Sequence, residues 1–219
     1  MEEATLRTIN STDWITINLF ISIFFAVLAK TFYYTKFLNF IILPFNNKYI
    51  FMYNKKDKLF NWFNILFTIF QVINFSLFIY LAKGILFKTL EDNSPIIYFV
   101  ILGFLLLFLL IKTFLQLGNG LVFNSNETIS ALIFKKISYL NYSSLLMFCA
   151  NIILTYIYKD SKIIVYISIF SILLINVIGW VTVLRNHQKF ISHNFFYFIL
   201  YLCTLEFSPF VIIGSYLKD

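Results

Sequence analysis

Glu206 lies about midway along an apolar run covering residues 195–217. In hydrocarbon an ionised carboxylate at that depth costs at least roughly 2.5 kcal/mol. Desolvation there favours the protonated form unless a partner intervenes. Pro209, three residues on, has no N–H to give to the carbonyl of Leu205, so a kink and a free acceptor stand beside the carboxyl. On its own helix Glu206 points away from the face of Tyr197, Tyr201, Thr204 and Ser208, so its partner has to come from elsewhere. The amides Gln71, Asn74, Asn151 and Asn176 qualify, as does Lys112 through its flexible stem. Two chemistries stay open: an ionisable group serving as proton relay, cation site or switch, or a protonated carboxyl bonded to an amide that fixes helix packing.

A second group of reactive types is Arg185, His187, Lys189 and His193. Two histidines six apart, with no Cys, Asp or Glu nearby, do not make a metal donor set. They read as cytoplasmic interfacial residues that touch headgroups or a partner. Cys149 and Cys203 both fall inside apolar runs, which points to buried thiols acting as small hydrophobes and away from a disulfide framework. No phosphate-binding loop, nucleophile elbow, HExxH helix or carboxylate pair is present, so the sequence implies no catalytic residue, cofactor or metal.

The elements that must hold these residues follow from composition. With 60% hydrophobic, 21% aromatic and 12% charged residues, the chain has more apolar surface than a soluble core of its length can hide. The abundance of Phe, Ile, Asn and Lys beside only Arg7 and Arg185 is what A/T-rich coding produces, and it is not read as an aromatic binding box. Apolar runs at about 14–31, 62–81, 96–117, 139–158, 163–184 and 195–217 approach the roughly 20 residues needed to cross a bilayer. They lack the alternation of barrel strands. An all-α membrane protein follows, a bundle of about six transmembrane helices forming a single integral membrane domain over 1–219. The start of the chain, with Glu2, Glu3 and Asp13 against Arg7, lacks the basic region of a cleaved signal, so the first run reads as a retained span. Residues 37–53, interrupted by Pro44, Asn46, Asn47 and Lys48, are too short to cross twice and should lie along the interface or re-enter shallowly.

Charge sets the orientation. Lys30, Lys36, Lys48, Lys55, Lys56, Lys58, Lys112, Lys135, Lys136, Arg185 and Lys189 gather on one side, in the first, third and fifth loops and their flanks. Arg7, Lys83, Lys88, Lys159, Lys162 and Lys218 fall on the other. The positive-inside rule puts the larger set in the cytoplasm and both termini outside. Because the basic residues sit at span ends, the net charge of +7 does not indicate nucleic-acid binding.

Helical spacing puts Asn61, Asn64, Thr68 and Gln71 on one stripe of the second span, and Asn141, Ser144, Asn151 and Thr155 on one of the fourth. Ser168, Ser171, Gly179 and Thr182 form a small-residue face on the fifth; Asn18, Ser22, Ala26 and Ala29 repeat the pattern on the first. Such stripes face the bundle interior, either as interhelical glue or as the lining of a hydrated path.

The run 195–209, reading Phe-Phe-Tyr-Phe-Ile-Leu-Tyr-Leu-Cys-Thr-Leu-Glu-Phe-Ser-Pro, together with Asn64-Ile65-Leu66-Phe67 leading to Phe70-Gln71, resembles a family of bacterial inner-membrane proteins known as a domain of unknown function. The resemblance extends over nearly the whole chain. It implies the inner membrane of a Gram-negative envelope, which makes the outer side that charge assigns to both termini the periplasm, and no particular activity.

Three function classes emerge from the sequence. The first is a non-catalytic component of an envelope assembly, transport or secretion system, suited by short loops and polar helix faces. The second is a small proton- or cation-coupled carrier centred on Glu206, although no inverted repeat is visible. The third is an intramembrane lipid-modifying enzyme, for which the 185–193 segment offers bases but no acid. The partners expected are the lipid bilayer and, across the polar faces, other membrane proteins or further copies of the chain; nucleic acid is not among them.

Overall fold

The computed structural model describes residues 13–46, 48–53, 61–87, 95–122 and 126–186. The sixth apolar run, with Glu206 and Pro209, lies outside these residues, as do His187 and His193. The described chain forms α1 (Asp13–Phe32), α2 (Tyr34–Ile41), α3 (Lys48–Tyr53), α4 (Trp62–Phe87), α5 (Pro95–Val122), α6 (Asn126–Ile152), a π-helical turn (Ile153–Ile157) and α7 (Lys162–Asn186). Five helical stretches are long and apolar enough to cross a membrane: Asp13–Phe32, Trp62–Leu86, Pro95–Gly118, Ile129–Ile157 and Lys162–Thr182. The protein is an all-α membrane protein, consistent with a bundle of about six helices.

In hydrocarbon every polar group needs an internal partner. Hydroxyls inside the helices accordingly bond back to carbonyls one turn earlier: Thr68 to Asn64 at 2.8 Å, Thr113 to Leu109 at 2.8 Å, Ser138 to Phe134 at 2.7 Å. Pro95 opens α5, the position where its missing N–H costs nothing.

α4 and α6 pack together at the centre, with α1 against α4, α7 against α6, and α5 against both central helices. At the end carrying the larger basic set, Phe40, Tyr49, Phe63, Phe67 and Phe134 form one buried aromatic cluster. At the opposite end Trp14 meets Tyr80 edge-on, centroids 5.1 Å apart, and Tyr98 at 5.3 Å.

The structure refines the sequence expectations in three places. The 37–53 segment is folded inward: α2 and α3 make a short helical hairpin that buries Phe40, Leu43, Tyr49 and Ile50 to 1% exposure or less. Its aromatic residues interlock with α4 and α6. The fourth spanning helix starts at Asn126, well before residue 139, and so incorporates Lys135 and Lys136. Two adjacent lysines interrupt an apolar run, but their stems can be buried along apolar surface. Cys149 sits on an exposed face of α6 and not in the bundle interior; a stripe of Asn, Ser and Ala side chains occupies the inner face instead.

Candidate functional site

Two polar centres are built into the described bundle. The first joins α4 to α6. Asn74 is fully buried and donates its own side-chain N–H to the carbonyl of Phe70 at 2.8 Å. Asn151, also fully buried, donates across the helix interface to the Asn74 carbonyl at 2.9 Å, with the Asn74 side-chain oxygen 3.5 Å away. Gln71, one turn from Asn74, is buried at 5% exposure. Three oxygens of the α6 stripe, Oδ1 of Asn141, Oδ1 of Asn151 and Oγ1 of Thr155, are buried with no hydrogen-bond partner. Unpaired acceptors at this depth are costly, so they mark places where a donor would be favoured.

Asn176, another of the amides offered as a partner for Glu206, joins α7 to α6. It donates to Ser143 Oγ on α6 at 3.2 Å and to the Ile172 carbonyl at 2.8 Å. Nearby, Tyr139 and Thr182 bring their hydroxyls to 3.5 Å. At Gly179 the two helices come so close that an added Cβ would stand 2.7 Å from Cγ of Tyr139. The small-residue face predicted on the fifth span is therefore a contact surface at Gly179 and Thr182.

Lys112 does not reach the α4–α6 amides. Asn151 and Lys136 are separated by fifteen residues along α6, about 22 Å at 1.5 Å per residue. Lys112 lies at the second centre, where its ammonium is within hydrogen-bonding reach of Lys136. The Lys136 ammonium rests 5.2 Å from the Trp180 ring of α7, and that of Lys112 5.6 Å from the Phe108 ring. Lys135, next in sequence to Lys136, and Gln116, one turn along α5 from Lys112, are also buried, at 4% and 3% exposure. Farther round the same end, Lys36 is buried with its ammonium 4.9 Å from the Tyr53 ring and 5.4 Å from that of Phe63. Tyr49 donates to Asn64 Oδ1 at 3.2 Å there.

The sequence reading placed Lys36, Lys135 and Lys136 only as topology-setting charges and missed them as buried groups. The signal available was their aromatic company, Tyr53 and Phe63 for Lys36 and Trp180 for Lys136, whose ring faces attract cations. Arg185 lies near the end of α7.

With the geometry in place, comparison with known proteins adds one relation. Residues 15–217 match the model of a family described as a domain of unknown function (DUF4271). The chain belongs to that family. Neither a curated protein nor a solved structure matches it. Membership names no activity, so chemistry has to be argued from the two centres. Among the described residues no three His, Cys, Asp or Glu side chains converge as metal ligands would.

Proposed function

We propose that this protein is a non-catalytic integral component of an envelope assembly, transport or secretion system in a bacterial inner membrane, with both termini on the periplasmic side. The observation that carries the reading is the contrast between the closely packed interior and α5. Only 6% of the most apolar stretch of α5 is buried, and Phe99, Phe104, Leu107 and Phe114 project outward along it. A helix held by one edge offers a long apolar flank to neighbouring membrane helices, while the polar bonds that hold the bundle, such as Asn151 to Asn74, remain internal.

The test is photo-crosslinking in cells at native expression, from outward positions 99, 104, 107 and 114 and from buried position 67. Specific adducts to another membrane protein from the α5 positions alone support the reading. Capture of nothing but the chain itself from every position would sink it.

A second reading, a proton- or cation-coupled carrier using Glu206, is favoured by the unpartnered oxygens of Asn141, Asn151 and Thr155 on one inner stripe. It predicts that Glu206→Gln reproduces the defect of a deletion while accumulating normally. A Glu206→Gln strain indistinguishable from wild type rules that carrier out.

A further inference from the structure

Hydroxyls elsewhere in the bundle are used within their own helices. Thr68, Thr113, Ser138 and Thr182 donate to carbonyls four residues back, at 2.8, 2.8, 2.7 and 2.9 Å. Thr155 differs: it is 3% exposed, and its Oγ1 has no hydrogen-bond partner among the described residues. It stands in the π-helical turn Ile153–Ile157, where the Tyr158 N–H reaches back five residues to Ile153. The extra residue in that loop changes the alignment of side chain and carbonyl on which the α-helical threonines rely. One turn before it, Asn151 is fully buried. Its amide N–H is committed to the Asn74 carbonyl, so Oδ1 is turned away from that bond and is likewise unpartnered.

The two atoms restrict what can sit between them. An amide oxygen only accepts, whereas a hydroxyl both gives and accepts. Residues four apart on a helix have Cβ atoms about 5–6 Å apart, close enough for one small molecule to touch both side chains. A cation would serve the oxygens but leave the hydroxyl proton without an acceptor. No carboxylate stands on α4 or in the π-helical turn to balance such a charge, and Asp160, beyond the turn, is exposed. Water donates to Asn151, accepts from Thr155 and carries no charge. The walls are apolar: Leu154 packs with Phe78, Ala82 and Val165, and Ile152 packs against Leu19 and Leu77. Thr155 lies two residues before Ile157, the end of the apolar stretch, or about 3 Å inside it. A short opening therefore connects this place to the aqueous face at that end. Asn141, ten residues before Asn151, is about 15 Å away along the helix and belongs to another level.

We propose that Asn151 and Thr155 hold one resident water, which donates to Asn151 Oδ1 and accepts the Thr155 hydroxyl, extending the Asn74–Asn151 link into the π-helical turn. Two polar partners meet the requirement for an internal water, and its bonds remove the cost of two buried unpaired groups. The inference is independent of the assembly reading, which concerns the outward flank of α5. It also gives two of the three oxygens cited for the carrier reading an occupant that is not transported.

The experiment is nuclear magnetic resonance of the full chain in nanodiscs of deuterated phosphatidylcholine, recording magnetisation transfer from water protons to side-chain amides and threonine methyls. Wild-type protein is expected to show transfer to the Thr155 methyl and the Asn151 amide, and none to the Thr68 methyl, whose hydroxyl is already bonded. Thr155→Ser should keep the transfer at Asn151, and Thr155→Val should abolish it. Asn151→Leu should reduce the transfer at the Thr155 methyl to the level of Thr68. Wild-type protein without transfer at either residue defeats the proposal, whether or not the variants fold. So does a Thr155 signal that survives Asn151→Leu in a chain shown by circular dichroism to be folded, because it then comes from exchange of the hydroxyl itself. Melting temperatures in sodium chloride and choline chloride at equal ionic strength are expected to coincide. A rise specific to sodium that Thr155→Val removes would assign the place to a cation and overturn the water. None of these outcomes touches the crosslinking from α5 or the Glu206→Gln phenotype, so the readings fail separately.

Discussion

Helices α4 and α5 are consecutive, similar in length and both apolar, yet they live in opposite surroundings. The apolar stretch of α4 is 61% buried and that of α5 6%, although α5 has the higher mean hydropathy, 2.6 against 2.0. In water the more apolar helix would be the one inside. In a bilayer lipid tails solvate Leu and Phe as well as a protein core does, so the burial ranking follows polarity and packing detail instead. α4 carries Asn64, Gln71, Asn74 and Ser76, all buried; α5 offers Leu and Phe over most of its surface and is turned outward.

Substitutions can break or sharpen this contrast. The largest effect is expected at Phe67, which is fully buried in the aromatic cluster of α4. Phe67→Ala should destabilise by about 3–5 kcal/mol, by loss of contacts and a residual cavity. Phe104→Ala on α5, where the ring is 67% exposed, should stay within about 0.5 kcal/mol. Thermal unfolding of the purified protein in detergent measures both, and equal losses would show that α5 is covered in the folded protein.

Glycines give a sharper pair. Gly179→Val places carbon against the Tyr139 ring, whereas a Cβ at Gly103 of α5 meets nothing within 4 Å. The first change should cost about 1–3 kcal/mol through overpacking. Gly103→Ala should be neutral or stabilise by up to about 1 kcal/mol through helix propensity. The same melts check them, and Tyr139→Leu should recover part of the Gly179→Val loss.

Hydrogen bonds come next. Asn151→Val removes the link to Asn74 and should cost about 0.6–2 kcal/mol. Thr113→Val on α5 deletes only a bond to its own helix, to the Leu109 carbonyl, and should change stability by less than about 0.5 kcal/mol. Denaturant titration of helicity in mixed micelles resolves that difference.

A further small effect lies in the turn before α7, where Asp160 has φ of 62°. Asp160→Gly relieves a left-handed backbone conformation and should raise stability by up to about 1 kcal/mol. A fall in melting temperature would mean that the Asp160 side chain contributes more than the strain removes.

Much of this was legible in the sequence. Runs of apolar residues locate spanning helices because hydrocarbon demands them. The fourth-span stripe is also readable: Asn141, Ser144, Asn151 and Thr155 are all buried, as helical spacing requires. Spacing alone does not say which stripe pairs with which, so Asn151 with Asn74 and Asn176 with Ser143 had to be seen in three dimensions. The lysines were harder. Hydropathy counts each as a break in a span, yet Lys135 is 4% exposed within α6. What keeps Lys36 and Lys136 inside is the ring faces of residues distant in sequence, and no window along the chain contains both partners. How residues 37–53 are anchored was hidden for the same reason, since their Phe40 and Tyr49 find Phe63 and Phe134 only after folding.

The π-helical turn at the end of α6 bears on how the chain tolerates changes in length. Tyr158 donates its N–H to the Ile153 carbonyl at 2.8 Å, one residue farther than an α-helix would reach. That widened loop accommodates a single surplus residue. A chain shortened by one residue between 153 and 157 can close the turn as ordinary α-helix and keep everything before it in register. The cost would be confined to a rotation of about 100° in the short connector ahead of α7, making this the point along the fourth span where a deletion does least harm.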